Sequence, residues 1–234
     1  MSEKSSKYCG GDNLQVMEYA ANYNRQLFLL AKRWASKNDR ILDFGAGIGT
    51  FSEMFQKEFF GVECLEPDES QAKIIKEKGL VAYCSSESIA GKGLDYIYSL
   101  NVLEHIEDDA SILEEINRML KPGGKIFIYV PAMQVLFSSM DEKVGHFRRY
   151  SRGQLVRLVN KAGFEAKASG YVDSLGFFVT LLYKLLGSKE GDISIRQILI
   201  YDRYIFPISH FIDRLTGWLF GKNVYIYAEK RNES

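Results

Sequence analysis

The stretch Ile41-Leu42-Asp43-Phe44-Gly45-Ala46-Gly47-Ile48-Gly49-Thr50 constrains this chain more than any other, because an apolar run of strand length enters three alternating glycines and leaves into a helical pattern. Glycines so placed permit positive φ and remove side chains where backbone must approach a ligand closely. A strand, a glycine turn and a helix in that order suit a nucleotide-like ligand; a tight strand-to-helix turn is the plainer alternative. A dinucleotide loop reads G-x-G-x-x-G, whereas here the third glycine, Gly49, comes one position early and Thr50 stands where Gly or Ala is wanted. A nicotinamide-dependent oxidoreductase is thereby disfavoured. The next β-rich run ends in Glu66-Pro67-Asp68, about 20 residues beyond the first glycine, where an acidic side chain can accept from ribose hydroxyls. Asp68 is the better candidate to cap the helix that follows.

After Asp39 short β-rich runs alternate with helical ones, the pattern of a mostly parallel sheet wrapped by crossover helices. The fold class is therefore α/β, Rossmann-like. Strands are predicted at 40–44, 61–66, 80–84, 94–100 and 124–130, with helices near 50–57, 69–78 and 110–120. Gly79 suits a left-handed helix end, 121–124 reads as a turn, and Ser151 with Gln154 forms a capping box for a helix that Gly163 closes. Two final strands are predicted at 164–170 and 224–229. Ahead of the sheet, apolar residues from Met17 to Trp34 recur at a helical period, with Asn22-Tyr23-Asn24 as an interruption. The resulting division is an N-terminal helical segment (1–38), a core (39–170 plus 223–231) and an apolar, aromatic-rich helical insertion (171–222) that a minimal doubly wound domain does not need.

At 234 residues the chain can bury a substantial core. Lys+Arg and Asp+Glu stand at 30 each, so the sequence offers no concentrated basic face and no nucleic-acid partner is expected. Cys9, Cys64 and Cys84 lack the paired spacing of a disulfide framework or metal site, and no metal is expected. A polar start without an apolar leader, and no apolar run near the roughly 20 residues that span a bilayer, point to a cytoplasmic protein.

Four blocks together resemble the class I S-adenosyl-L-methionine-dependent methyltransferases: Asp43 to Gly49; Glu66-Pro67-Asp68; the run from Leu94 through Asn101-Val102-Leu103-Glu104-His105-Ile106; and Leu120-Lys121-Pro122-Gly123-Gly124-Lys125-Ile126. The resemblance covers about 40–131. It implies methyl transfer from S-adenosyl-L-methionine on a seven-stranded sheet whose last strand is antiparallel, with helices on both faces. Residue by residue it implies that Gly45, Ala46 and Gly47 line the methionine and ribose, Asp43 supports the methionine amino group, and Gly49 permits helix packing. Glu66 would hold the ribose diol and Pro67 lie against adenine, while Asn101 and Val102 approach the methionyl end. Many relatives carry an Asp after the third strand for the adenine amino group; here Ser85 and Ser86 stand there, weaker partners than a carboxylate.

An acceptor hydroxyl must lose its proton, a task suited to histidine near neutral pH. His105 follows the fourth strand and either shapes the cofactor pocket or moves a proton. His210 sits among apolar residues and reads as a packed helix residue. His146 lies in a polar loop with Arg148, Arg149 and Tyr150, on the side where relatives bind acceptors. That loop, with the stretch around Tyr23 and Gly221-Lys222-Asn223, resembles a subgroup associated with glycosyltransferases and surface-glycan or glycolipid assembly. The likeness makes Arg148 and Arg149 candidate phosphate or carboxylate clamps, with Tyr150 and Tyr23 beside them. The acceptor is then a small molecule, a glycan or a lipid-linked compound. The apolar insertion, with Lys184, Arg196, Arg203 and Arg214 interspersed, suits peripheral membrane contact; packing on the core or a homodimer interface is the alternative. A non-catalytic S-adenosylmethionine-binding module is the remaining reading.

Overall fold

The computed structural model describes residues 18–59, 61–89, 93–186 and 195–232. Seven strands form one sheet in the order β3-β2-β1-β4-β5-β7-β6: β1 (Arg40–Phe44), β2 (Gly61–Leu65), β3 (Val81–Tyr83), β4 (Leu94–Leu100), β5 (Leu120–Pro131), β6 (Phe164–Val172) and β7 (Asn223–Lys230). The first five pair in parallel, and β7 runs antiparallel to both β5 and β6. The antiparallel strand is thus not an edge; β6 is. Residues 121–124 leave the ladder between the pairs Leu94↔Leu120 and Tyr96↔Lys125, so the expected turn is a wide bulge inside β5.

Strand alternation sorts the core into two chemically different layers. Leu42, Ile97, Ile126 and Ile128 face one side with α4 (Asp109–Met119) and α6 (Arg152–Lys161), while Ile41, Tyr96, Tyr98, Phe127, Tyr129 and Tyr227 face α1 (Ala21–Ala31) and α2 (Thr50–Gln56). Buried tyrosines bring hydroxyls that need partners. Tyr227 donates to the Leu30 carbonyl at 2.6 Å and Tyr96 to that of Ala31, so strands satisfy the open carbonyls at the end of α1.

The start of α1 is satisfied from even farther along the chain. No side chain of its own caps it. Instead the Asp202 carboxylate accepts the N–H groups of Asn22 (3.0 Å) and Tyr23 (2.8 Å). The Asn22-Tyr23-Asn24 stretch therefore opens the helix and does not interrupt it; the expected helical residues before 18 lie outside the described residues. Asp68 caps α3 (Glu69–Glu77) through the N–H groups of Ser70 and Gln71, and Ser151 with Gln154 forms the capping box of α6. A short α5 (Ser139–Lys143), which sequence periodicity did not indicate, opens on a second capping box between Ser138 and Asp141.

Between β6 and β7 stand α7 (Ser174–Leu186), α8 (Ile195–Ile200), a π turn over Tyr201–Ile205 and α9 (Phe206–Thr216). Carboxylates tie them to the sheet. Asp213 accepts the N–H groups of Asp173 (2.8 Å) and Ser174 (2.9 Å), and Asp173 accepts from Ser209 Oγ (2.8 Å) and the Tyr201 hydroxyl (2.5 Å). Among the described residues no helix is long and apolar enough to cross a membrane.

Replacing Asp202 by Ala leaves two N–H groups of α1 without their acceptor. Loss of a helix cap costs roughly 0.5–2 kcal/mol and charge-assisted bonds lie at the upper end. Urea denaturation should show a drop of about 1–2 kcal/mol with an unchanged m-value, and an unaltered midpoint would mean that α1 is held by packing alone.

Candidate functional site

The chain leaves β1 toward β2 and β3, then crosses back to β4 on the other side of β1, so the crevice beyond the ends of β1 and β4 is a topological switch point, where open α/β sheets bind ligands. A cavity of about 750 Å³ lies there. It is lined by Asp43, Gly45, Ala46, Gly47, Glu66, Pro67, Asn101 and Val102 from the sheet, by Tyr23 from α1, and by His105 and His146 at the far end.

The floor is the glycine loop. Gly45, Gly47 and Gly49 all have positive φ, at 81°, 58° and 81°. A Cβ on Gly45 would come within 2.4 Å of Val102 Cγ2, and one on Gly49 within 3.2 Å of Ile75 Cγ1, so the loop is wedged between the end of β4 and α3. The Gly47 N–H donates to Glu66 Oε2 at 2.8 Å and the Asp68 N–H to Oε1 at 3.0 Å, which fixes the carboxylate beside the loop. Burial pushes the Glu66 carboxyl up, and these two backbone bonds oppose the rise.

Asp43 Oδ2 accepts from Ser52 Oγ at 2.5 Å and the Tyr98 hydroxyl at 2.9 Å. Burial pushes its carboxyl up to about 7, the two hydroxyl bonds notwithstanding. Asn101 ends β4 with a φ of 56° and donates its N–H to the Tyr129 carbonyl at 2.8 Å. The Tyr23 hydroxyl is bonded to Tyr129 and Asn101, and burial pushes it up to about 12.

The far end of the cavity is built from the 3₁₀ turn Leu103–His105 and the loop after α5. The rings of His105 and His146 meet edge to face at 4.6 Å. Asp141 Oδ1 lies 2.8 Å from both His146 Nδ1 and Arg149 Nε, and its Oδ2 accepts the Ser138 N–H at 2.9 Å. Burial alone would raise the Asp141 carboxyl, but the His146 and Arg149 contacts outweigh it and hold it below the ordinary range. Burial pushes Glu104 up to about 8 and His105 down to about 4, so each favours its neutral form near pH 7.

Other sequence candidates stand elsewhere. Arg149 is buried on Asp141 and also bonds the Ala132 carbonyl, so it braces the loop and does not face the cavity as a clamp. Tyr150 is likewise buried, its hydroxyl on Asp109 Oδ2 at 2.8 Å and the Leu103 carbonyl at 3.1 Å. Arg148 pairs with Asp109 at 2.8 Å and with the Glu107 carbonyl at 2.7 Å on the surface. Ser85 caps the turn Ser86–Ser88 and bonds Glu87; neither Ser85 nor Ser86 lines the cavity. His210 lies on α9, also away from it. Sequence reasoning gave no role to Glu104, and it considered Asp141 only as a surface ion-pair partner for Arg148 or Arg149; the Arg149 pair is present, but buried. The spacing of Ser138 and Asp141 was a legible cap signal, and a Glu between Leu103 and Ile106 hinted at a buried carboxylate.

Residues 16–168 match the family model described as Methyltransferase domain. The chain is 25% identical over 166 residues, 68% of its own length, to the tRNA (carboxymethyluridine(34)-5-O)-methyltransferase of Macaca fascicularis, but spans 25% of that protein. It is 28% identical over 100 residues to a ubiquinone biosynthesis O-methyltransferase of Pseudomonas aeruginosa, 38% of this chain and 43% of that one. The chain thus spans less than half of either relative's length. In fold it is similar to one chain of the Haloferax volcanii complex between the Trm112 methyltransferase activator and a methyltransferase, at a TM-score of 0.66 and 14% identity, covering 99% of this chain and 100% of that one.

The raised Asp43 carboxyl gives a pH test. Its folded value is about 7 against an ordinary 3.8, so the folded state holds a proton that the unfolded state releases between those values. The stabilisation is complete below the ordinary value and is lost as pH rises through the folded one. Asp43→Asn cannot titrate, so in urea titrations at about pH 4 and about pH 8 the variant should gain on the wild type at the higher pH. An identical difference at both would show that Asp43 titrates alike in the folded and unfolded states.

Proposed function

The chain belongs to the methyltransferase-domain family, and on that premise we propose that it is an S-adenosylmethionine-dependent methyltransferase acting on a hydroxyl-bearing, amphiphilic acceptor. The observation that carries the cofactor assignment is the Glu66 carboxylate, held against the glycine loop by the Gly47 N–H and opening on the same cavity as His105 and His146. A carboxylate so fixed can accept from both hydroxyls of a ribose, and the missing β-carbons at Gly45 and Gly47 let backbone approach the rest of the ligand. The cavity's volume is within the range of small-ligand sites.

S-adenosylmethionine supplies, when bound, a methyl on a sulfonium; the acceptor's lone pair bonds to that carbon while the C–S electron pair returns to sulfur. The chain's own share is orientation and exclusion of water. Asp43, neutral or ionised near pH 7, can accept from an ammonium and is driven toward its charged form by one. Asn101 and Val102 wall the end of β4, and Tyr23 closes the cavity from α1. A hydroxyl acceptor must also shed its proton, and the imidazole corner at His146 is the part of the cavity equipped to assist.

Support for an amphiphilic acceptor comes from the helices between β6 and β7. Leu185 is 70%, Leu215 75% and Trp218 63% exposed, with Phe178, Phe211 and Leu182 alongside. The carboxylates Asp202 and Asp213 turn inward onto backbone N–H groups, whereas Lys184, Arg203 and Arg214 stay on the surface. An apolar face rimmed by cations suits an anionic membrane surface and a lipid-linked substrate.

Calorimetry should show S-adenosylmethionine binding weakened about tenfold to a hundredfold in Glu66→Ala, in line with the loss of charge-assisted bonds. Gly47→Val should bind still less. His146→Ala should lower turnover with cofactor affinity nearly unchanged. Wild-type cofactor affinity in both loop variants, or preferential binding of a nicotinamide dinucleotide, would sink the assignment. Separately, the protein should co-sediment with vesicles containing phosphatidylserine and do so less when Phe178, Leu215 and Trp218 are replaced by Ser. A protein that ignores vesicles, or forms a dimer burying those side chains, removes the membrane reading.

A further inference from the structure

Glu104 is fully buried, and among the described residues neither of its carboxylate oxygens has a hydrogen-bond partner. Buried polar atoms are almost always paired, and an orphaned carboxylate is costly unless a proton or cation completes it. Its neighbours are suited to a cation. His146 Nε2 stands 3.9 Å from Glu104 Oε1, and one donor atom each from Glu104, His105 and His146 lies within 4.8 Å of the others. At 3.9 Å the pair is too far apart for a hydrogen bond. Two donors on one ion at about 2.0–2.2 Å, by contrast, stand up to about 4 Å apart.

The outer sides of the two imidazoles are also arranged for this. His146 Nδ1 is 2.8 Å from Asp141 Oδ1, and His105 is hydrogen-bonded to the Gly145 backbone. Metal-binding histidines donate their other N–H to a carboxylate or carbonyl in this way, which fixes the tautomer and turns the free lone pair toward the ion. Asp141 is itself held by Arg149 Nε at 2.8 Å and by the Ser138 N–H at 2.9 Å. A merely structural ion pair would need none of this second layer.

We propose that Glu104, His105 and His146 form a binding site for one divalent transition-metal cation, of the zinc or manganese class, at the acceptor end of the cavity. Two imidazoles and one carboxylate are the donor set of such ions and leave coordination positions open. Because His105 and His146 line the cavity, those positions face the acceptor. An oxygen bound to a divalent ion ionises much nearer neutral pH, its proton passing to solvent. That use of the ion rests on the methyl-transfer reading above; the binding site rests on the three side chains alone.

The test is a titration of the full chain, stripped with a chelator and exchanged into chelator-free buffer, with Zn²⁺ and Mn²⁺ by calorimetry and with Co²⁺ by visible absorption. One ion per chain is expected, with Glu104→Gln, His105→Gln and His146→Gln each weakening binding at least about a hundredfold and Asp141→Asn about tenfold to a hundredfold. If Glu104→Gln does not fold, the two half-buried histidines carry the decision. No binding of Zn²⁺ or Mn²⁺ below about 1 mM, or an affinity that the folded histidine variants leave unchanged, overturns the site. S-adenosylmethionine calorimetry on the same samples separates the two readings: loss of cofactor binding by the wild type counts against the methyltransferase assignment, and loss of metal binding alone counts against the cation.

Discussion

The Leu65 carbonyl at the end of β2 accepts two successive N–H groups from the neighbouring loop, Gly45 at 2.9 Å and Ala46 at 3.1 Å. With the Gly47 N–H on Glu66, three consecutive amides of the loop after β1 are bound to the last residues of one adjacent strand. A chain can offer three amides to one side only by turning sharply, and the positive φ at Gly45 and Gly47 is that turn. The rest of the site takes its position from it. Asp43 is left at the loop's root facing Ser52 and Tyr98, Val102 packs where a side chain on Gly45 would stand, and Glu66 cannot swing away without releasing two backbone donors.

Burial of polar groups at a distance is the second theme. The helices between β6 and β7 are tied by Asp173, Asp202 and Asp213, whose oxygens take backbone N–H groups and hydroxyls that would otherwise be stranded, alongside the packing of the buried Phe206 on Tyr23. Several of their apolar side chains, Leu185, Leu215 and Trp218 among them, lie at the surface. Asp202 joins this unit to α1 through the N–H groups of Asn22 and Tyr23, the Tyr23 ring meets that of Phe206 at 5.4 Å, and Tyr23 lines the cavity, so the cavity wall and the helices between β6 and β7 are held together at one place.

Much of this was legible in the sequence because it depends on local periodicity. The limits of β1 and β4 agree at both ends with the runs read from alternation and punctuation, and the caps at Asp68 and Ser151 follow from spacing alone. What could not be read depends on contacts between distant residues. The start of α1 is set by a carboxylate 180 positions later. The subgroup likeness made Arg149 a candidate clamp with Tyr150 beside it, and a surface ion pair with Asp141 was Arg149's alternative; the structure has that pair, but inside, and Tyr150 is held by Asp109, 41 residues away. Composition reports that a loop carries charge; it does not report where the countercharge sits. The antiparallel strand was foreseen, but its place between β5 and β6 was not, since strand order is a property of the whole sheet.

That placement has a consequence for how the molecule is made. β6 pairs with β7 alone, and β5 finds its second neighbour only in β7, through the register Lys125↔Glu229 to Pro131↔Asn223. During synthesis six strands leave the ribosome before the seventh, so β5 waits with an open edge of unpaired backbone groups along its apolar run Ile126–Val130, and β6 waits with no ladder at all. Completion of the sheet is therefore a single late insertion that closes two edges at once, and a chain halted before residue 223 keeps both of them exposed to other chains.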